Sequence, residues 1–535
     1  MKQILHIFAK DCRHFWPEIL ISVALVGALV WIYPSTWLSK SGLYAVAGGA
    51  FLPGMLEAGV LAALLTVLVP VSWWLLIARV IHAESLVGDR QFWVTRPYEW
   101  KKLLGAKALF LVAFLYLPLL IGQCLLLFRA GFPPLPFVPG LLFNLLLITA
   151  VIVLPLLAIT TVTATFARLT VTLLAGLVCF IGYVVISLYL SDNASIPYRD
   201  HVSLPLAFCF CAVVVVLQYA SRRVWVSRLV LGALPLLLVL TGMTLSESTE
   251  MGRDYPRAGA GQEGPVRLAL LRDTPHPATA YLDRAKQVQV SIPLQVSGVA
   301  EGYALVSGPV RVSVDAANGS QWTSPWQALN NQQYLPGTSE SWITFQMSRA
   351  FFDQTRSTPV TLHFTVALTR VQAGNVRSIP LPTQDFSVPD FGICSPQADV
   401  FHSRFFGIAC RFALHQPNLT YIRARWMDSP CSASQPGLDT GVQGDAWMGS
   451  LESSPADFGI APVWSPSIAL SNGTKMEGNQ PESRYLCPGT PVTFTQYNLV
   501  GRTQYDFTIP DFRFPSYQPI RGSFNGSMGF DITAQ

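Results

Sequence analysis

Between residues 17 and 245 the chain carries seven apolar runs, near 17–37, 58–81, 104–128, 138–166, 169–190, 204–221 and 226–245. A helix needs about 20 predominantly apolar residues to cross a bilayer core of roughly 30 Å, so each run is a candidate span. Charges such as Glu18, Arg79, Lys107 and Arg228 sit at the ends of the runs, and their central stretches are free of ions. A helix built from such a run satisfies its backbone internally and buries no charge. Together with the low charge content of the chain, this argues against a single soluble enzyme.

Charge is distributed to match. Residues 1–245 hold 16 Lys/Arg and 8 Asp/Glu, a net of +8, whereas residues 246–535 hold 20 and 23, a net of −3. Only 13% of the whole chain is charged, about half the usual share, and the shortage lies in the first half. The fold expected is an α-helical membrane domain of about seven spans over 1–245, a linker at 246–264, and an all-β, sandwich-like extracytoplasmic region beyond it.

The Lys/Arg bias of the short connections sets the orientation. With the N-terminus cytoplasmic, the inner side collects thirteen Lys/Arg between Lys2 and Arg228, and the outer side of the same domain only Lys40, Arg129 and Arg199. Seven spans then place the C-terminal 290 residues in a periplasm or extracellular space. Ala45-Val46-Ala47 resembles a signal-peptide cleavage site, but the segment before the first span is long and patterned. Ile4, Phe8, Cys12 and Phe15 fall on one helical face and Gln3, His6, Lys10 and Arg13 on another, which reads as an interfacial amphipathic helix.

Beyond the linker, alternating runs such as Val288–Ile292 and Val310–Val314, punctuated by Gly, Pro and Asn-Gly, read as strands and turns. Asp385-Phe-Ser-Val-Pro-Asp-Phe391 recurs as Asp506-Phe-Thr-Ile-Pro-Asp-Phe512, and Thr-Pro-Val-Thr precedes each copy, at 358–361 and 490–493. Two motifs in the same order point to a duplicated β module over 265–391 and 392–535; coincidence between two Pro-broken edge strands is the competing reading. Cys394, Cys410, Cys431 and Cys487 all fall in the second stretch. In an oxidising compartment they allow two disulfides in any of three connectivities, and their spacing does not suit a metal. Five Asn-x-Ser/Thr sequons lie on the outer side; Asn-Gly hairpin turns explain three of them equally well.

No phosphate loop, His-Glu-x-x-His or Gly-x-Ser-x-Gly element occurs, so no enzymatic activity, cofactor or metal is expected, and no nucleic-acid partner. The span interiors offer only Gln123, Asn144 and Gln218. Ion-coupled carriers need ionisable relays there, so the energy for any transport is expected from another chain.

The connection between the second and third runs is cationic and aromatic: Glu84-Ser-Leu-Val-Gly88-Asp-Arg90-Gln-Phe-Trp93-Val-Thr-Arg96-Pro97, ending with Lys107 as it enters a span. Pro97 ends one short helix and starts another. This segment resembles the corresponding loop in permease subunits of the type-2 class of ABC transporters, which carry a Glu, then a Gly, a Leu/Trp-rich stretch, a Pro, and a Lys at the head of the next span. Here Glu84, Gly88, Trp93, Pro97 and Lys107 occupy those places, and the amphipathic N-terminal helix is a second point of similarity. The likeness covers about the first 245 residues. The family core usually has one span fewer and no large outer β domain, so the seventh span reads as a tether. The resemblance implies an exporting permease, paired as a homodimer or heterodimer in the lipid bilayer and driven by a separate ABC ATPase. Glu84, Gly88, Arg96 and Pro97 would couple the two, with Arg90 and Trp93 facing the ATPase. Alternatively, these basic residues enforce topology and meet anionic lipid, and the chain is a membrane-anchored binding or sensory protein whose β region recognises a glycan or protein. An integral-membrane enzyme is a third class, without any residue pattern to support it.

Overall fold

The computed structural model describes residues 2–37, 53–83, 99–190, 203–221, 223–244, 255–257, 266–271, 279–282, 287–327, 333–388, 392–398, 405–413, 420–426, 444–449, 459–464, 467–469 and 488–515. Helices occupy the first half and strands the second, as the hydrophobic periods require. Among the described residues four helices are long and apolar enough to cross a membrane: Trp16–Thr36, Gly59–His82, Trp100–Arg129 and Leu135–Val162. Three further apolar helices follow, with described stretches of 10–17 residues, Phe166–Gly176, Pro205–Ser221 and Val224–Leu234. The expected count of seven is therefore supported for four.

We label the helices α1 (Lys2–His14), α2 (Trp16–Ile32), α3 (Pro53–His82), α4 (Trp100–Leu111), α5 (Leu117–Arg129), α6 (Val138–Ile148), α7 (Leu154–Val162), α8 (Phe166–Leu190), α9 (Ser203–Ser221) and α10 (Val224–Thr244). A π turn at Val112–Tyr116 joins α4 to α5, and a second at Thr149–Val153 joins α6 to α7. Their helical core includes Phe15, Val69, Trp73, Leu76, Phe110, Leu115 and Ile148, all essentially inaccessible. The opposite faces carry Ile21, Trp31, Val67, Ile121, Leu125, Leu146 and Val178, large apolar side chains left exposed. A helix bundle that is apolar inside and out is of the kind that could lie in a membrane.

By internal contacts the chain divides into two compact units, neither of them a continuous stretch. One comprises Met1–Ile181, Arg199–Thr244 and Asn375–Gln496; the other Gly182–Tyr198, Leu245–Gly374 and Tyr497–Gln535. In the second unit β3 (Gln287–Val299) pairs antiparallel with β1 (Arg267–Leu270), β2 (Thr279–Leu282) and β7 (Gly337–Ser348). There β4 (Tyr303–Ala316) pairs antiparallel with β5 (Gln321–Thr323), β6 (Gln333–Tyr334) and β8 (Val360–Pro380). The expected runs 288–292 and 310–314 lie in β3 and β4. Val288, Val290, Ile292 and Leu294 from β3 and Ile343 and Phe345 from β7 share one core with Val310, Val312 and Val314 from β4 and Leu362 and Phe364 from β8. Alternate residues on each strand are buried, the pattern that period-two side chains demand.

In the first unit β10 (Gly392–Ala398) pairs with β9 (Phe386–Val388) and β11 (Phe405–Cys410), and β11 with β16 (Ser467–Ala469). The short strands β12 (Phe412–Ala413) and β15 (Val463–Trp464) pair with each other, as do β13 (Thr420–Trp426) and β14 (Gly444–Gly449). The two longest strands, β8 and β17 (Pro491–Phe512), are sheet neighbours. Each begins within a Thr-Pro-Val-Thr motif. The first Asp-Phe-x-x-Pro-Asp-Phe copy contributes β9, and the second forms the end of β17.

Candidate functional site

The end of the helical bundle from which the 84–98 connection springs is held by buried charge. Lys107 Nζ, in the second turn of α4, donates to Asp11 Oδ2 of α1 at 2.8 Å and to the Val80 carbonyl of α3 at 3.1 Å. Asp11 is 0% and Lys107 3% exposed, and the Lys10 ammonium stands 3.7 Å from the other Asp11 oxygen. One ammonium thus ties three helices. Aromatic packing holds α1 in the same place: the Phe8 ring stacks on Phe114 at 5.8 Å and meets Phe110 edge-on at 6.4 Å. The N-terminal helix is amphipathic, as expected from its faces, with His6, Lys10 and Arg13 exposed. Its Asp11, however, faces protein and not a water interface, because Lys107 stands opposite.

Further ties close the same end. Glu18 of α2 lies 3.3 Å from Arg79 of α3. His82 Nε2, the last residue of α3, donates to the Thr160 carbonyl of α7 at 3.3 Å. Arg228 of α10 donates through Nε and Nη2 to the Val162 carbonyl at 3.4 and 3.1 Å, one of the orphan acceptors that any helix leaves at its C-terminus. Of the residues expected to couple to an ATPase, Lys107 is thus placed in an internal ion pair. Glu84, Gly88, Arg90, Trp93, Arg96 and Pro97 lie outside the described residues.

Halfway along the bundle the two π turns meet. Tyr116 and Thr149 hydrogen-bond through their hydroxyls at 2.7 Å, and Thr149 also donates to the Leu145 carbonyl at 2.7 Å. Each π turn begins six residues before a proline, Val112 before Pro118 and Thr149 before Pro155. A proline ring clashes with the carbonyl four residues back and supplies no N–H to it; widening the preceding turn relieves both. Such turns are frequent at functional sites, and these two face each other in adjacent spans.

At the opposite end the spans grip part of the β region within the same compact unit. Asn144 Nδ2 donates to the Gly459 carbonyl at 2.7 Å, and Asn144 Oδ1 accepts from Gly459 N at 3.4 Å. Gln123 Nε2 donates to the Ile460 carbonyl at 3.0 Å, and the Tyr33 hydroxyl to Val463 at 3.2 Å. Both span amides are fully buried. Just past the end of α5, Gly131 stands at φ +89, where a side chain would strike Ile393, and Gly392 at φ +87 leaves room for the Phe132 ring. The Arg411 guanidinium lies over the Trp37 ring at 5.1 Å and donates to Asp385 at 2.9 Å. Two of the three polar groups that read as mild span residues, Gln123 and Asn144, are therefore receptors for backbone of the 459–463 segment, a role no local pattern announces.

Beneath this contact, Cys394 and Cys410 form a disulfide between register partners of β10 and β11. Cys431 and Cys487 lie outside the described residues. In the other unit His363 sits between Asp315 and Thr508, each at 3.1 Å, and Thr365 donates to Asp506 at 2.7 Å. These are half-exposed cross-strand pairs of the kind that stabilise sheets. Among the described residues no group of three or more His, Cys, Asp or Glu is placed to hold a metal ion. Compared with known proteins, the chain matches no protein-family model and no curated protein, so its chemistry has to be argued from these residues.

Proposed function

We propose that this chain is the membrane-spanning subunit of an ABC-type transporter, working in the export direction and powered by a separate ATPase subunit. The observation that carries this reading is the framework around 84–98. That segment connects α3 to α4, two helices locked to α1 by the buried Asp11–Lys107–Val80 arrangement. A push on the segment by a closing ATPase would move α1, α3 and α4 as one body. In this reading Glu84, Gly88, Arg96 and Pro97 form the coupling surface, Arg90 and Trp93 face the ATPase, and Lys107 anchors its base. The π turns of the third and fourth spans, where the regular ladder is already broken, are the points at which those helices bend.

The same reading takes α8, α9 and α10 as three further crossings, seven in all. The N-terminus is then cytoplasmic and the β region outside, the arrangement that the Lys/Arg bias favours. The grip of Tyr33, Gln123 and Asn144 on 459–463, at the end of the bundle carrying Arg129, supports a β region beyond the outer face. Two such chains, identical or related, would complete the transporter. Affinity purification in mild detergent is expected to recover an ATPase. A Glu84→Lys or Gly88→Trp change should lower ATP-dependent activity without removing the protein from the membrane. Intact protein recovered with no ATPase overturns the reading.

One observation favours a membrane-anchored binding or sensory protein instead. The span amides Gln123 and Asn144 are occupied in holding the β region and do not line a path. Tight binding of a glycan or protein by the chain, with normal function when 84–107 is scrambled, would establish that alternative.

A further inference from the structure

Helices α7, α8, α9 and α10 line an open cleft of about 930 Å³. Its walls are apolar, formed by Ile159, Val171, Ala207, Cys211, Leu231 and Leu234. Among the described residues, the two charged ones lining it are Arg168 and Arg228, and no carboxylate lines it. Both arginines belong to one end. Arg168 is in the first turn of α8, and Arg228 in the second turn of α10, where its guanidinium is fixed by the Val162 carbonyl. A guanidinium has five N–H donors, so the two committed to Val162 leave others for an anion. Thr163 lines the cleft beside them, and Thr172 lies one turn deeper.

From Arg168 the cleft runs at least to Gly176, eight residues along α8 and about 12 Å deeper at 1.5 Å per residue. Glycine deepens the cleft on two sides. A side chain at Gly176 or Gly232 would meet no atom of the described residues within 4 Å, so their packing does not require either glycine. The cleft is thus cationic at the bundle end and apolar along its depth. Three of its four helices, α8, α9 and α10, are the further crossings of the proposed topology, on which this inference rests.

We propose that this cleft binds an anionic phospholipid of the surrounding bilayer, with its phosphate between Arg168 and Arg228 and an acyl chain along Gly176 and Gly232. Arginine pairs with phosphate through forked, charge-assisted hydrogen bonds, and basic pockets between membrane helices are known places for anionic headgroups. A neutral or zwitterionic lipid would fill the apolar part equally well but would leave the two guanidinium groups without a net negative partner.

The test uses the full chain released from vesicles containing phosphatidylglycerol and phosphatidylcholine in equal amounts, with the lipid that stays bound read by native mass spectrometry. Phosphatidylglycerol is expected to be retained in preference. Arg168→Gln should weaken its retention about tenfold, as expected for one lost charge-assisted bond, and Gly176→Leu should do the same with both arginines intact. Equal retention of the two lipids overturns the proposal, as does unchanged retention of phosphatidylglycerol in both variants. Thermal stabilisation by inorganic phosphate as large as that by phosphatidylglycerol overturns it too, in favour of a free-anion site. Gly232→Leu provides a second cleft-filling variant should Gly176→Leu fail to fold.

Discussion

At the scale of single residues, the Asp11–Lys107 pair acts more as a constraint than as a source of net stability. Taking two ions out of water costs about what their attraction returns, whereas leaving one of them unpaired costs about 3–5 kcal/mol. Lys107→Met alone should therefore lower thermal stability in detergent sharply, and the double change Asp11→Leu with Lys107→Met should recover most of the loss. Equal destabilisation by the single and double variants would show that the pair is not coupled. A second residue acts through pH. Tyr334 is buried, and burial pushes its phenol up while hydrogen bonds from Ser341 and Ser307 pull it partly back. Because the folded value lies above the unfolded one, this contribution to stability is complete below about pH 10 and is lost as pH rises through the folded value. Tyr334→Phe should cost about 1 kcal/mol near pH 8 and flatten the alkaline decline, read from denaturation midpoints between pH 8 and 11; an unchanged slope would refute this. Neither residue announced its role. Lys107 was visible at the head of a span, but its partner is 96 positions away, on a helix whose amphipathic pattern placed Asp11 in no particular environment.

At the scale of elements, local chemistry was far more legible. Apolar length located the first four spans, and period-two alternation located β3 and β4, because both signals depend only on which faces meet lipid or core. The prolines carried information that periodicity did not. Pro118 and Pro155 each sit six residues after the start of a π turn, whereas Pro70 lies inside α3 without one among the described turns. If Pro118 forces the wide turn at Val112–Tyr116, then Pro118→Ala should let an ordinary helix run from α4 into α5. Removing an interior proline is worth up to about 3 kcal/mol of local helix stability. Amide exchange at Val112–Tyr116 should slow accordingly, and Tyr116 should rotate away from Thr149. Exchange unchanged from the parent protein would mean that tertiary packing around Tyr116 holds the turn open. Disulfide connectivity shows the opposite limit: four cysteines were visible, but only the antiparallel register of β10 with β11 brings Cys394 to Cys410.

At the scale of the whole molecule, the grouping of the chain follows long-range contacts that no local pattern encodes. The stretch 375–496 belongs to the same compact unit as the helices. The bonds from Asn144 to Gly459 and from Gln123 to Ile460 each join residues more than 300 positions apart. The sequence showed two amides in apolar spans, and apolar surroundings oblige an amide to find a partner; what it could not show was a partner so far along the chain. Asn144→Leu tests how strongly the unit depends on this grip. The leucine would leave the Gly459 N–H and C=O unpaired in a partly buried setting, at up to roughly 1–3 kcal/mol for each group. The melting temperature should fall, and amide exchange should rise at residues 459–464, while β3 and β7 of the other unit keep their protection. If β3 and β7 lose protection together with 459–464, the two compact units unfold as one cooperative body and the division between them has no thermodynamic meaning. If 459–464 keeps its protection, Gln123 and the packing of Ala461 and Val463 against Trp37, Leu127 and Phe132 hold the segment without Asn144.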